Sequence, residues 1–307
     1  MASSATSLDY FYDNVCTQDT RKRTQTHPEL VAYLKDPSTS LACEDFDKFI
    51  DGLNGWISSS NYKISLNGLE VVSLIIDRIG EDFKPHISSV LSSVVDRLGD
   101  SKDGVRESSQ DLLIKLMVPA SSPQYIWDRI GGAFTHKLWR VREEVCRCLK
   151  ATLNSYGAKS LSLSKLVPAI IKLIDDQSSP VREESMTTIV EIYRHVGERV
   201  RLDVAKKITN TSKLQQLFDR MDEVKASGTM VQSAECKYIG FVGYLQMYWT
   251  VLFELCAGRK IFFLLNLVLK NFGKLVFESK NRGFGSFGVG TIVHYIRDIV
   301  GQKELVI

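Results

Sequence analysis

Val105-Arg106-Glu107, Val141-Arg142-Glu143-Glu144 and Val181-Arg182-Glu183-Glu184 are three copies of one short phrase. They stand 36 residues apart (105 to 141) and then 40 apart (141 to 181), inside the ~33–47-residue band of helical repeats. Each copy follows an apolar helical run and a polar break: Gly99-Asp100-Ser101-Lys102-Asp103-Gly104, His136-Lys137-Leu138-Trp139-Arg140, and Asp176-Gln177-Ser178-Ser179-Pro180. Each copy also opens a second helix. In Val181 to Val196, for example, Met186, Ile189, Val190 and Tyr193 recur at spacings of three and four. The unit is helix, tight turn, helix. Such a pair cannot bury its apolar face alone, so copies must stack. The predicted fold class is all-α, a HEAT/ARM-like α-solenoid.

Asp100 and Arg106 lie six residues apart, as do Asp176 and Arg182. The aspartates are expected to cap the second helices, and Arg106, Arg142 and Arg182 to ladder one repeat to the next. All five residues are read as structural. The middle repeat departs from the pattern: His136 replaces the aspartate, and Lys137, Trp139 and Arg140 fill the turn. A tryptophan among basic residues is poor repeat filler and good contact surface.

Composition narrows the function. A formal charge of +3 over 307 residues gives no global field that would argue for nucleic acid, so any electrostatic recognition is local. Hydrophobic residues at 44% and charged residues at 24% fit a soluble globular chain. The six cysteines have no CxxC spacing, and Cys146 and Cys148, two apart on a helix, cannot jointly hold zinc. No metal or cofactor is expected. Met1 to Val15 has no apolar core of a secretory signal. Gly283-Phe284-Gly285-Ser286-Phe287-Gly288 fits GxGxxG, but a dinucleotide site would want a ribose-binding acid about twenty residues on, and Ile307 comes too soon. The dispersed histidines form no triad, so the chain is read as non-catalytic.

Along the chain, Leu8 to Lys35 reads as one or two short helices with a break at Thr24 to His27. Helical pairs are expected at 44–57 with 66–79, 83–98 with 105–117, 124–134 with 141–156, 160–175 with 181–196, and 198–208 with 214–224. Near Ala234 the character changes. Tyr238 to Ala257 is nearly charge-free and just long enough, at about 20 residues, to span a bilayer. Gln246 and Glu254 weaken that reading. The tail 236–307 therefore has three readings: contact with a membrane through 238–257 (the less favoured), a segment packed on the solenoid, or a by-product of alternative transcript processing.

Several longer strings are idiosyncratic: Asn61-Tyr62-Lys63, Asp96-Arg97-Leu98-Gly99-Asp100, Pro123-Gln124-Tyr125-Ile126-Trp127-Asp128-Arg129, Leu161-Ser162-Leu163-Ser164-Lys165, and Glu191 to Arg201. In this order they resemble the first TOG domain of the CLASP (CLIP-associating protein) family, over about Leu8 to Glu235. The resemblance implies a TOG domain of about six HEAT-like helix pairs over 1–235, with a divergent tail over 236–307. It also implies that the turns within the pairs line up as one narrow edge that contacts tubulin. Carried over, that edge would hold Trp56 and Lys63 at the first turn, Lys102 at the second, and Lys137, Trp139 and Arg140 at the third. Lys206, Lys207 and Lys213 would stand at the fifth or sixth. Tubulin is acidic, so a basic edge would steer encounter. The family likeness further implies regulation of microtubule dynamics and stabilisation in the cytoplasm, on the cytoskeleton, at the mitotic spindle and at the kinetochore; the chain itself is expected to be a monomer. The alternative is a generic HEAT scaffold that binds a protein or peptide on its concave face.

Overall fold

The computed structural model describes residues 6–118 and 120–231; the expectations for the tail 236–307 lie outside the described residues. Within them the chain forms six helix pairs. These are α1 (Asp9–Cys16) with α2 (Thr20–Lys35), α3 (Phe46–Ile57) with α4 (Tyr62–Ile79), and α5 (Ile87–Arg97) with α6 (Asp103–Met117). They continue with α7 (Pro123–Ile130) and α8 (Trp139–Tyr156), α9 (Leu163–Leu173) and α10 (Ser179–Val196), and α11 (Glu198–Ala205) and α12 (Thr211–Ala226). No strand occurs among the described residues. The second helices α2, α4, α6, α8, α10 and α12 each pack on the next, which is the contact pattern of a stacked solenoid.

Apolar residues at helical spacing drive the stacking. On α3, Phe49, Ile50, Leu53 and Trp56 are buried, and on α4 Leu69, Val72, Ile75 and Ile76 meet them. Three second helices end on glycines with positive φ, Gly80, Gly157 and Gly197, whose N–H groups return to the carbonyls of Ile76, Leu153 and Tyr193. That conformation is strained for any residue with a Cβ, so these glycines stop the helices and turn the chain into the next pair.

The N-terminal pair corrects the sequence reading. The break lies at Thr17–Asp19, and α2 runs straight through Thr24 to His27. Asp19 caps it by accepting from the N–H groups of Arg21 and Lys22. The Thr24 hydroxyl turns back to the Thr20 carbonyl at 2.8 Å and Thr26 is buried, so the polar run is absorbed into the helix. The turn Ser58–Asn61 is consequently the second of six, and every later turn moves up by one. The first helices are also shorter than their apolar runs, because 3-10 turns at Gly80–His86 and Gly131–Thr135 take up part of the sequence.

One polar device recurs from pair to pair. Arg23, Arg106, Arg142 and Arg182 each donate to the carbonyl six residues back, at Thr17, Asp100, His136 and Asp176, over 2.7–2.9 Å. Three of them also reach the following pair, and the first, Arg23, donates to the Gly55 carbonyl of α3 at 3.1 Å. Arg106 donates to Glu144 at 3.2 Å, and Arg142 binds Asp176 bidentately at 2.7 and 2.8 Å. The aspartates do not cap at the usual N-terminal positions. Asp100 and Asp176 instead accept from the N–H two residues on, of Lys102 and Ser178, and the His136 ring nitrogen accepts from Leu138 in the same way. His136 thus does the work of the aspartate it replaces.

Breaking a partly buried pair leaves the surviving charge desolvated and uncompensated. Arg142→Met should therefore lower unfolding stability by about 3 kcal/mol, read from urea midpoints, and its effect should be strongly non-additive with Asp176→Asn. Burial pushes the Glu191 carboxyl up, but hydrogen bonds from His195 and Arg194 outweigh it and hold the group at about 2, below its ordinary 4.5. A carboxyl with a lowered folded pKa contributes fully above its unfolded value and is lost as pH falls. Acid titration should accordingly remove Glu191-dependent stability between about pH 4.5 and 2, and Glu191→Gln should flatten that limb.

Candidate functional site

The turns within the pairs are tied to one another by side chains. Lys102 Nζ, at the third turn, sits 5.6 Å above the ring of Tyr62 at the second. Between the third and fourth turns there is no room for a side chain: a Cβ on Gly99 would lie 2.8 Å from Val141 Cγ2 and 3.1 Å from Leu138 Cδ1. His136 at the fourth turn pairs with Asp96, beside the third, at 3.5 Å. Arg142 joins the fourth turn to the fifth through Asp176, and Lys213 joins the fifth to the sixth through Asp175 at 2.6 Å and the Ile174 carbonyl at 3.0 Å. These contacts set the five later turns side by side as a continuous edge.

Most of the basic residues picked out in the sequence lie on this edge. Lys63, Lys102, Lys137, Arg140, Lys206 and Lys207 are exposed, and none forms an ion pair with another described residue. Arg140 lies over the ring of Trp139, 4.8 Å from its centroid, which pre-orients the guanidinium. Trp139 is partly buried and packs against the core.

Two of the expected residues have other roles. Trp56 is 0% exposed and its indole N–H donates to the Val15 carbonyl at 2.9 Å, so it ties α3 to α1 and is unavailable to a partner. The reason is position: Trp56 falls on the buried stripe of α3, one turn short of Ser58–Asn61. Lys213 is the strut between the fifth and sixth turns, with its ammonium committed to Asp175 and Ile174. The apolar part of the edge comes from residues the sequence reading passed over, Tyr62 (41% exposed) and Leu138 (47% exposed). Arg21 and Lys22, exposed on the first turn of α2, extend the basic series to the first pair. The signal for them was present in Lys22-Arg23, which occupies the place of Val105-Arg106 and Val141-Arg142.

The face formed by the second helices is electrostatically different. Lys115 bonds Asp77 and Ser73 of α4, Arg147 and Lys150 bond Glu184 of α10, and Arg220 bonds Glu183. Glu144, 5% exposed, is pushed up by burial against the pull of Arg147 and Arg106. Here the cations are consumed in holding repeats together. Among the described residues no cluster could hold a metal and no helix is long and apolar enough to cross a membrane. Cys146 and Cys148 are both buried, which pushes the Cys146 thiol up to about 12 and that of Cys148 higher.

Comparison with known proteins places this geometry in context. The sequence model described as "XMAP215/Dis1/CLASP, TOG domain" matches residues 21–218. CLIP-associating protein 1-A of Xenopus laevis is 48% identical over 235 residues, covering 75% of this chain and 16% of that protein. The chain thus spans about a sixth of the length of the curated relatives it matches. The crystal structure of the MAST/Orbit N-terminal domain is 38% identical, with a TM-score of 0.68 over 72% of this chain and 98% of that one. A structure from work on TOG-tubulin binding specificity in microtubule dynamics and mitotic spindle formation is 23% identical. It has a TM-score of 0.58 over 68% of this chain and 79% of that one, a likeness of fold.

The packing at Gly99 yields a direct test of the edge. Gly99→Ala should force the third and fourth turns apart and cost about 1–3 kcal/mol in thermal unfolding. It should also shift the backbone amide signals of Leu138 to Arg140 while leaving those of α11 and α12 in place.

Proposed function

This chain belongs to the XMAP215/Dis1/CLASP TOG-domain family, and on that premise we propose that its turn edge binds tubulin, within the microtubule lattice or as free dimers. The observation that carries the reading is the contrast between the two surfaces. Lys63, Lys102, Lys137, Arg140, Lys206 and Lys207 stand exposed and unpaired along one line of contacting turns, whereas Lys115, Arg147, Lys150 and Arg220 on the second-helix face are bound to acids. Exposed cations along one edge present a local positive potential to an acidic partner without a large net charge. Tyr62 and Leu138, flanked by Lys102 and Lys137, supply the apolar contact that such an interface needs at its centre.

The same contrast disfavours the scaffold reading. A ligand on the second-helix face would have to compete with the ion pairs that hold the stack. The proposed role is non-catalytic: binding that regulates microtubule dynamics and stabilisation, on the cytoskeleton and at the spindle and kinetochore. The edge is narrow, so one copy should bind modestly, and tight binding should require several such domains in one assembly. We assign the activity to residues 1–235. In support, the last described helix ends at Ala226 and the family match at residue 218.

The test is co-sedimentation with microtubules together with size-exclusion binding to free tubulin. Lys102→Glu, Lys137→Glu and Arg140→Glu combined should weaken association at least about tenfold, the equivalent of ~1.4 kcal/mol, with the unfolding midpoint unchanged. Asp111→Arg, on the exposed flank of α6, should leave binding intact. A chain ended after Glu235 should bind as the full chain does. Unaltered binding by the triple variant would overturn the edge assignment.

A further inference from the structure

Arg23 stands apart from the other arginines that clamp the turns. It is 4% exposed, with Nε donating to the Thr17 carbonyl at 2.7 Å and Nη1 to the Gly55 carbonyl at 3.1 Å. Arg106 and Arg142, in the same place of later pairs, add a carboxylate from Glu144 or Asp176. Arg182 binds only carbonyls, but it is only partly buried and water can complete its shell. Arg23 has no carboxylate, and only the end of its guanidinium is open to solvent. Among the described residues no carboxylate bonds it, and its Nη2 has no hydrogen-bond partner.

A cleft of about 280 Å³ opens beside this guanidinium between α1, α2 and α3, with Tyr12, Lys48, Asp51, Gly52 and Gly55 in its lining. Gly55 leaves room beside the guanidinium, and Gly52, three residues earlier on α3, lets α1 approach closely. A Cβ on Gly55 would stand 3.4 Å from Arg23 Nη2, and one on Gly52 would press on Val15 Cγ1 at 3.0 Å. Lys48 brings a second cation to the lining, although its ammonium also pairs with Asp45 at 2.5 Å. Asp51 is the acid of the lining and opposes an anion there.

We propose that this cleft binds a single carboxylate from outside the fold, the group that Glu144 and Asp176 provide to the equivalent arginines. A guanidinium buried but for one donor that opens to the cleft gains a charge-assisted hydrogen bond when it meets a carboxylate there, and a neutral ligand cannot supply it. The site stands without the tubulin reading, since none of its lining residues belongs to the basic set of the edge.

The experiment titrates two probes into the full chain, acetate and the blocked peptide Ac-Gly-Glu-Gly-NH2, with Ac-Gly-Gln-Gly-NH2 as control. The readout is the NMR signals of the Gly52 and Gly55 amides and of the Arg23 Nε–H. Saturable shifts with acetate and the Glu peptide, absent with the Gln peptide, are expected. A tighter peptide identifies an acidic side chain of a partner segment as the source, and a tighter acetate identifies a small free carboxylate. Gly55→Ala should weaken binding about tenfold or more, the scale of one charge-assisted hydrogen bond, with an unfolding midpoint no lower than that of the native chain. Asp51→Asn should tighten binding. No shift with either acid, equal binding of the Gln peptide, or undiminished affinity in Gly55→Ala would overturn the proposal.

Discussion

The clamp between an arginine and the carbonyl six residues behind it is the constraint on which this solenoid depends. A turn of four or five residues between antiparallel helices leaves carbonyls that no helix can satisfy, and a guanidinium has enough donors to take one and still reach elsewhere. Arg142 does both, closing its own turn at His136 and binding Asp176 of the next pair. Turn geometry and stacking distance are therefore fixed by one side chain. The second pair has no such arginine, and a smaller group performs the closure there: Ser65 donates to the Ile57 carbonyl at 2.8 Å.

Fixing the turns in this way has an electrostatic consequence. Side chains that hold repeats together are withdrawn from contact with partners, and the second-helix face, crossed by ion pairs from α4 to α12, is largely of this kind. The turns are held mostly by backbone carbonyls and by the arginines. Their remaining cations stay in water, and the edge keeps a charge that the rest of the unit has neutralised internally. Lys213 marks the boundary between the two regimes, because it lies at the edge and yet serves as a strut.

Much of the fold was legible in the chain. The threefold Val-Arg-Glu phrase at a spacing near 40 and the apolar periodicity of α3, α4, α8 and α10 are local signals, and both period and repeat length are set by helix geometry. The break placed at Thr24 to His27 was wrong because the polar residues there find partners in the fold, Thr24 at the Thr20 carbonyl and His27 at Glu70 of α4, which composition does not reveal. The clamp on the first pair was missed because Lys22-Arg23 lacks the flanking valine and glutamate of the later copies.

The sequence by itself determined a helical repeat, the positions of five of its six turns and a cluster of cations at several of them, since each depends on residues near one another in the chain. Tertiary structure alone decided which of those residues face a partner. Trp56 looks like an edge residue until the approach of α1 places the Val15 carbonyl against its indole, and Tyr62 and Leu138 gain their meaning from the turns beside them. Exposure is a property of what packs across from a residue, some forty positions away in this fold, and no local pattern carries that information.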